Sequence, residues 1–305
     1  MAALYTVLAL YGLWYVASWR HKNRLGPWGY DWAAWCVQRF FFDVVASIWG
    51  VKNGCIFPFG QPGKPKAAGA IPCVISCAPH GSFAIGFFIL HFRRLATDLR
   101  FMQFNCYAGA ASVLFKIPIL RELLLLLRCR EASQKTLDAL LETGKSVALN
   151  PGGLWEQVHT SHEREVIHLM PKLGFIRLAM RHGVPILPAY GFGENQLYRT
   201  SWYAELTLPL RRWISDRLRV GIPAVHGRFC SIFPFAGNHV FVVGQPVATG
   251  APNPSPTAEQ VNEVLLRWKA EMHRMFDENK HLLPPEVAAQ GLTILVRPPA
   301  ARATK

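Results

Sequence analysis

Residues 71–81 read IPCVISCAPHG. The run from Ile71 to Cys77 is almost wholly apolar, which predicts a short strand buried on both faces. Ala78-Pro79 ends it and Gly81 opens a turn, so His80 is presented at the carboxyl end of a strand. Two further runs repeat this layout. Ser146 to Asn150 closes on Pro151-Gly152-Gly153, and Val184 to Tyr190 is followed by Phe192-Gly193-Glu194-Asn195. His239 to Val243, closed by Gly244, predicts a fourth strand. Helical patterns fall between them. Residues 83–97 are apolar and then basic, and 113–127 are very apolar after Pro118. Residues 133–143 open at a Ser133 cap and stop before Gly144, and 172–182 stop at Gly183. Residues 257–278 give the clearest amphipathic helix, with Thr257 and Gln260 placed as a capping box. Strands alternating with helices, each strand ending in a Gly-, Pro- or polar-rich turn, predict an α/β domain with its site at the strand ends.

The chain has 305 residues, 51% hydrophobic and 17% charged, with mean hydropathy +0.15. Soluble domains carry about 25% charged residues, so this composition is unusually apolar for a cytosolic enzyme. The length allows one large domain or two small ones. Net charge is +14, from 33 Lys and Arg against 19 Asp and Glu. A greasy, basic chain is not disordered, collagen-like or a small secreted scaffold. It points to lipid, anionic head groups or a polyanionic small molecule as partner, and away from nucleic acid, whose binders are seldom so apolar. Seven cysteines without a CxxC pair argue for reduced thiols facing the cytosol, not a disulfide framework or zinc ribbon.

Residues 2–19 contain no charge. Eighteen helical residues rise about 27 Å, close to a hydrocarbon core of about 30 Å. Tyr11, Trp14, Tyr15 and Trp19 suit a membrane interface, and Arg20, Lys22 and Arg24 follow the apolar run. That order predicts an anchor with a cytosolic basic flank over 1–24, in preference to a cleaved signal peptide. Residues 32–50 are rich in Trp and Phe but interrupted by Arg39 and Asp43, which fits an interfacial helix or a plain core helix. Residues 50–70, with five Gly, three Pro and three Lys, read as a linker, so 25–70 forms an interfacial helix and linker. The α/β domain then occupies 71–290, and a frayed Pro- and Ala-rich tail 291–305.

Three strand-end turns hold the reactive groups. His80, with Gly81 removing bulk beside it, can act as a general base near neutral pH; the bland alternative is a histidine capping a turn. Gly152 and Gly153, with the Asn150 side chain, can aim N–H donors at an oxyanion. Glu156 is placed either to accept a hydrogen bond from an imidazole or as a solvated first-turn carboxylate, and Glu194 is a second carboxylate near the same edge. Cys77 could serve as a nucleophile beside His80 or be a buried strand cysteine. No GxSxG, Walker or GxGxxG motif occurs. His159, His162 and His168 lack a cysteine partner and make a poor metal set. Lys172, Arg177 and Arg181, with His182 beside them, suit phosphates. Arg199, Arg211, Arg212, Arg217, Arg219 and Arg228, interspersed with Trp202 and Trp213, suit an anionic membrane surface. For any single member of either set, solvated surface charge is the ordinary alternative.

In order, these pieces resemble the type-2 diacylglycerol acyltransferase and monoacylglycerol acyltransferase family. The resemblance rests on Pro79-His80-Gly81, Ile117 to Glu122 (IPILRE), Gly152-Gly153-x-x-Glu156 and Gly174 to Gly183 (GFIRLAMRHG). Pro188 to Tyr198 (PAYGFGENQLY), His226-Gly227-Arg228 and Val242 to Pro246 (VVGQP) complete it. It runs from about Cys73 to Leu283, roughly two-thirds of the chain. It implies an acyltransferase-like mixed sheet flanked by helices behind an N-terminal membrane anchor. It also implies an enzyme of the endoplasmic reticulum membrane and lipid droplets, its catalytic domain facing the cytosol. Such an enzyme moves a fatty acyl group from acyl-CoA to diacylglycerol, with His80 matching the second His of the family's HPHG motif. Position 78 is Ala where that motif has its first His, Gln134 stands where the family has an Arg, and one clean span replaces the family's membrane hairpin.

The expected chemistry is direct transfer in a ternary complex with acyl-CoA as co-substrate and no metal or bound cofactor. His80 is the base, Glu156 or Glu194 orients it, and Lys172, Arg177 and Arg181 take the CoA phosphates. The alternatives are monoacylglycerol, a long-chain alcohol or a lysophospholipid as acceptor, or a non-enzymatic lipid-droplet or lipid-binding protein. A homo-oligomer is compatible with the sequence.

Overall fold

The computed structural model describes residues 2–38, 40, 46–56, 72–84 and 105–298. Its strands are β1 (Val51–Ile56), β2 (Val74–Ala78), β3 (Cys106–Ala110), β4 (Cys129–Glu131), β5 (Ser146–Leu149) and β6 (Glu165–Leu169). They continue with β7 (Ile186–Phe192), β8 (Arg199–Thr200), β9 (Val225–His226), β10 (Gly237–Val243) and β11 (Leu292–Val296). The principal helices are α1 (Ala2–Ala17), α2 (Asp31–Gln38), α3 (Ala46–Trp49), α4 (Leu120–Leu126) and α5 (Gln134–Glu142). After these come α6 (Gly153–His159), α7 (Gly174–His182), α8 (Ala204–Leu218), α9 (Ala258–Asn279) and α10 (Pro285–Ala288).

A seven-stranded mixed sheet runs in the order β1-β10-β7-β2-β5-β3-β4. β2, β5 and β7 are parallel and adjacent, with Val74 opposite both Val147 and Ile186. Their carboxyl ends therefore lie side by side, and the turns after them share one edge. β10 joins β7 antiparallel and β1 parallels β10.

Alternate residues of β2 enter two cores. Val74 and Ala78 join Leu140 of α5, Ile176 of α7 and Trp268 of α9. Cys73, Ile75 and Cys77 join Phe115 and Leu125 on the other face. α9 buries Val261, Val264, Leu265, Trp268, Met272, Met275 and Phe276 as one stripe. Each such side chain contributes about 1.5–3 kcal/mol on burial. Its capping box at Thr257 and Gln260 forms, Ser133 caps α5 through the Thr136 N–H, and Gly183 ends α7 at φ +62°.

Several elements depart from the sequence expectations. The stretch 113–127 is a 3-10 turn at Ser112–Lys116 and then α4, because Pro118 cannot donate and Ile119 stands at φ +69° with its N–H held by Glu122. The 50–70 linker contains β1, whose hydrogen bonds come from β10, nearly two hundred residues away. The tail carries β11, paired parallel with β6. β3, β4 and β6 had no local signature. Of the 83–97 helix, residues 85–97 lie outside the described residues, and Phe83 and Ala84 belong to the turn after β2. Within 32–50, α2 and α3 are separate; Val37 packs on the core while Trp32 and Trp35 are exposed.

α1 has 16 residues, and among the described residues no helix is long and apolar enough to cross a membrane. It exposes Leu4, Val7, Leu8, Leu10, Leu13 and Val16. Its inner face is tied to α4. Tyr11 donates to Glu122 (2.8 Å), and the buried Arg121 guanidinium donates to the Tyr15 carbonyl (2.9 Å) and Ser18 Oγ (2.7 Å). Arg130 likewise donates to the carbonyls of Arg24, Gly26, Leu125 and Cys129, pinning the basic flank to β4. Arg121→Ala leaves the Tyr15 carbonyl and Ser18 Oγ without this donor and Glu122 without its ion-pair partner, at a cost of about 3 kcal/mol or more. The expected result is faster tryptic cleavage at Arg20, Lys22 and Arg24; unchanged cleavage rates would show that this clamp is dispensable.

Candidate active site

His80 follows the cis Ala78–Pro79 bond and is partly accessible at the shared edge of β2, β5 and β7. Its Nδ1 lies 3.0 Å from the Gly81 carbonyl. An Nδ1–H donated to that oxygen leaves Nε2 as the basic nitrogen. Burial depresses the imidazole pKa, opposed by the Gly81 carbonyl and by the charge of Glu194. The ring is therefore mostly neutral at pH 7, the form a base requires.

Glu194 sits beneath this turn. Gly81 is at φ +63°, and a Cβ there would collide with the Glu194 carboxylate. Glu194 Oε2 lies 3.3 Å from Nε2 of His239 on β10, both side chains nearly fully buried. The carboxylate is thus gripped between His239 and the His80 turn. Behind it, Glu165 accepts from Tyr190 (2.6 Å), Asn195 (3.0 Å) and Gln196 (2.9 Å). Burial outweighs those bonds and pushes Glu165 up to about 7.

Glu156 lies in the first turn of α6 and faces the backbone of His80 and His168, not the imidazole tip. Gly152 makes this possible, since a Cβ there would meet the Glu156 carboxylate and the His168 carbonyl. The backbone N–H groups of His80 and His168 favour its charged form, but burial dominates and pushes it up to about 8. At neutral pH Glu156 is largely protonated, so the charge that acts on His80 is that of Glu194. Gly153, at φ +50°, gives its N–H to the Asn150 carbonyl (3.2 Å).

The native pKa of Glu156 stands above its ordinary value near 4.5. The folded state therefore retains a proton that the unfolded chain loses between about pH 4.5 and 8, and stability falls as pH rises through that window. Glu156→Gln is expected to raise Tm at pH 8 by about 2 °C or more, the equivalent of ~1 kcal/mol in a domain of this size, with little change at pH 5. Parallel Tm–pH curves for the two proteins would contradict this.

Five buried side chains carry a polar atom without a well-formed hydrogen bond among the described residues: Ser82, Asn150, Glu156, Gln196 and His239. Ser82, Asn150, Glu156 and His239 belong to this edge, whereas Gln196 lines a separate cavity with His162 and Arg199. Buried polar groups are ordinarily satisfied, so their concentration here marks where a ligand's polar atoms would be received. Gln157 donates to the Ser82 carbonyl (2.6 Å) and fixes α6 to the His80 turn.

The fold thus gathers His80, Gly81, Asn150, Gly152, Gly153, Glu156 and Glu194. It does not bring the expected phosphate ligands there as a group. Arg181 and His182 are engaged by Asp138 (2.7 and 2.8 Å), and Arg177 donates to the carbonyls of Lys172 and Pro256. α7 passes through Gly183 into the start of β7, which puts Arg181 at the sheet edge opposite His80. Lys172 is exposed. Cys77 is buried beside Ile75, on the face of β2 opposite Ala78. The Ala78 side chain is itself fully buried in register with Tyr190. His159 and His168 pack ring on ring at 4.8 Å, while His162 bonds Thr200. Among the described residues no group of three or more potential ligands could hold a metal ion. His239 and Glu165 were missed from the sequence: His239 opens an apolar run that reads as strand and nothing more, and Glu165 opens β6, which has no local signature.

Comparison with known proteins identifies the family. The sequence model described as diacylglycerol acyltransferase matches residues 65–289. The chain belongs to the diacylglycerol acyltransferase family. It is 27% identical to diacylglycerol O-acyltransferase 2 of Xenopus laevis, over 91% of this chain and 76% of that protein. Identity to the human diacylglycerol O-acyltransferase 2 is 26%, over 90% and 70%. Human 2-acylglycerol O-acyltransferase 3 is 27% identical over 91% and 81%. Among solved structures, the 1-acyl-sn-glycerophosphate acyltransferase PlsC of Thermotoga maritima aligns over 77% of each chain. Its TM-score is 0.42 and its identity 14%, too distant to carry an argument about function. As a family member the protein is an acyltransferase.

Proposed function

We propose that this acyltransferase transfers a fatty acyl group from acyl-CoA to the free hydroxyl of diacylglycerol, with His80 as general base. The observation that carries the reading is the His80 turn: a neutral imidazole anchored through Nδ1 on the Gly81 carbonyl, with Glu194 below it. Nε2 takes the hydroxyl proton as the oxygen attacks the thioester carbon. The tetrahedral oxyanion is received by the Gly152 N–H and the Asn150 side-chain amide, the Gly153 N–H being taken by the Asn150 carbonyl. On collapse the C–S bond breaks, and the His80 imidazolium returns its proton to the departing sulfur, giving the ester and free CoA. No acyl-enzyme is formed. Glu194, held by His239, stabilises the transient imidazolium.

The exposed apolar face of α1 and the basic segment after it support a body seated on the cytosolic face of the endoplasmic reticulum and on lipid droplets. The likeness to 2-acylglycerol O-acyltransferase 3 keeps monoacylglycerol as the second acceptor. Expression in cells lacking their own triacylglycerol synthases, with microsomal assays across both acceptors, tests the reading. Triacylglycerol formation from diacylglycerol is the expected result. Transfer to monoacylglycerol alone would replace the acceptor, and no transfer at all would refute the function.

A further inference from the structure

A cleft of about 880 Å³ opens between α6, β6 and α8, lined by His159, Arg164, His168, Arg211 and Arg212, with Glu163 and Glu205 also on its wall. Its cations are built in. Arg211 is 7% exposed and donates to the carbonyls of Val158 (2.6 Å), Ala204 (2.7 Å) and Ile222 (3.3 Å). Arg212 Nε donates to His159 Nε2 (2.9 Å), and its guanidinium lies over the Trp155 ring at 5.2 Å. This geometry fixes the fork while leaving its outer N–H groups to face a ligand. Arg164, Arg211 and Arg212 form no ion pair among the described residues, whereas Arg297, which also covers Trp155, is neutralised by Asp216.

Burial depresses both imidazoles of the cleft, helped by Arg212 and Arg211 at His159 and by His159, Arg164 and Arg212 at His168, which is brought to about 4. With both imidazoles neutral, the guanidiniums of Arg164, Arg211 and Arg212 still outnumber the carboxylates of Glu163 and Glu205, so the cleft keeps a net positive charge, the condition under which an anion is drawn in. Trp202, 89% exposed on the same wall, offers an indole face on which a purine can stack. The cleft also has an address. His159 closes α6, the helix whose first turn holds Glu156 against the His80 turn, so a donor with its thioester at His80 can extend along α6 into the cleft.

We propose that this cleft binds the phosphorylated nucleotide of the acyl donor, with Arg164 and Arg212 as phosphate ligands, Arg211 as a fixed cationic wall and Trp202 beneath the base. The proposal rests on acyl-CoA being the donor.

The test uses the full-length protein in detergent micelles, with Arg164→Gln and Arg212→Gln as variants. Adenosine 3′,5′-bisphosphate is the binding probe, and acyl-CoA and the nucleotide-free acyl-pantetheine are the two donors. A charge-assisted phosphate contact corresponds to about tenfold or more in affinity. The bisphosphate should bind the wild type and bind each variant about tenfold more weakly. The KM for acyl-CoA should rise by a similar factor relative to that for acyl-pantetheine, kcat changing little. Absence of bisphosphate binding, binding indifferent to both substitutions, or an equal rise in KM for the two donors would overturn the assignment. Failure of the acyltransferase reading would look different: the wild type would bind the bisphosphate yet transfer from neither donor, and the assignment to an acyl donor would fall with it.

Discussion

His80→Ala lowers triacylglycerol formation by about 100-fold or more at equal expression, with the fold intact. That is the contribution ordinarily made by a positioned general base. The residue is partly accessible and its ring hydrogen-bonds the carbonyl of the next residue, so truncation leaves the surrounding core in place. The loss should fall on kcat, because proton removal belongs to the transition state and not to ground-state binding. A pH profile separates this from a structural role. Burial holds the His80 pKa below the ordinary 6.5. The acid limb of kcat/KM should therefore lie below that value, and the limb should move when Glu194, whose charge pulls the pKa upward, is replaced by Gln. Cys77→Ser should retain activity, since Cys77 lies 1% exposed on the far face of β2. Near-normal turnover by His80→Ala, or an acyl group trapped on Cys77, would refute the direct mechanism.

How much of this could be seen beforehand depended on whether the determining contacts are local. β2, β5, β7 and β10 are short apolar runs closed by Gly, Pro or a polar turn, and the Thr257–Gln260 box is written within four residues; both survive into the structure. β1 reads VKNGCI, with the polarity of a loop, and becomes a strand through pairing with β10. β11 depends in the same way on β6. The site divides along the same line. His80 and Glu194 were visible because strand-end turns announce themselves. His239 was invisible as a site residue, because its significance is a carboxylate 45 positions earlier in the chain. Arg181 looked available for phosphate because Asp138, its partner, is 43 positions upstream. Arg211 and Arg212 looked like surface charge, although carbonyls from three separate segments hold the first and a histidine on α6 the second. A charged side chain's local sequence says that it carries charge. Its tertiary partners decide whether that charge is already spent.

Gly81→Ala is the second substitution with a large expected effect, and it probes the grip on Glu194 instead of the base itself. Two costs coincide at this residue. An L side chain at φ +63° costs about 1–2 kcal/mol, and its Cβ would stand 2.6 Å from Glu194 Cγ and 2.9 Å from Cδ. The carboxylate has little room to yield, being 2% exposed with His239 Nε2 at 3.3 Å. Something must shift, and the shift moves either the His80 turn or the charge beneath it. The expected result is a destabilisation of about 2 kcal/mol or more together with at least a tenfold fall in kcat, since small misplacements in a preorganised site are costly. The double variant Gly81→Ala/Glu194→Ala discriminates between causes. Removing the carboxylate relieves the collision, so part of the lost Tm should return, but kcat should stay low because the charge that supports the imidazolium is gone. Recovery of both would mean that Glu194 obstructs and does not assist. Recovery of neither would place the whole cost in the backbone and leave Glu194 without a demonstrated hold on His80.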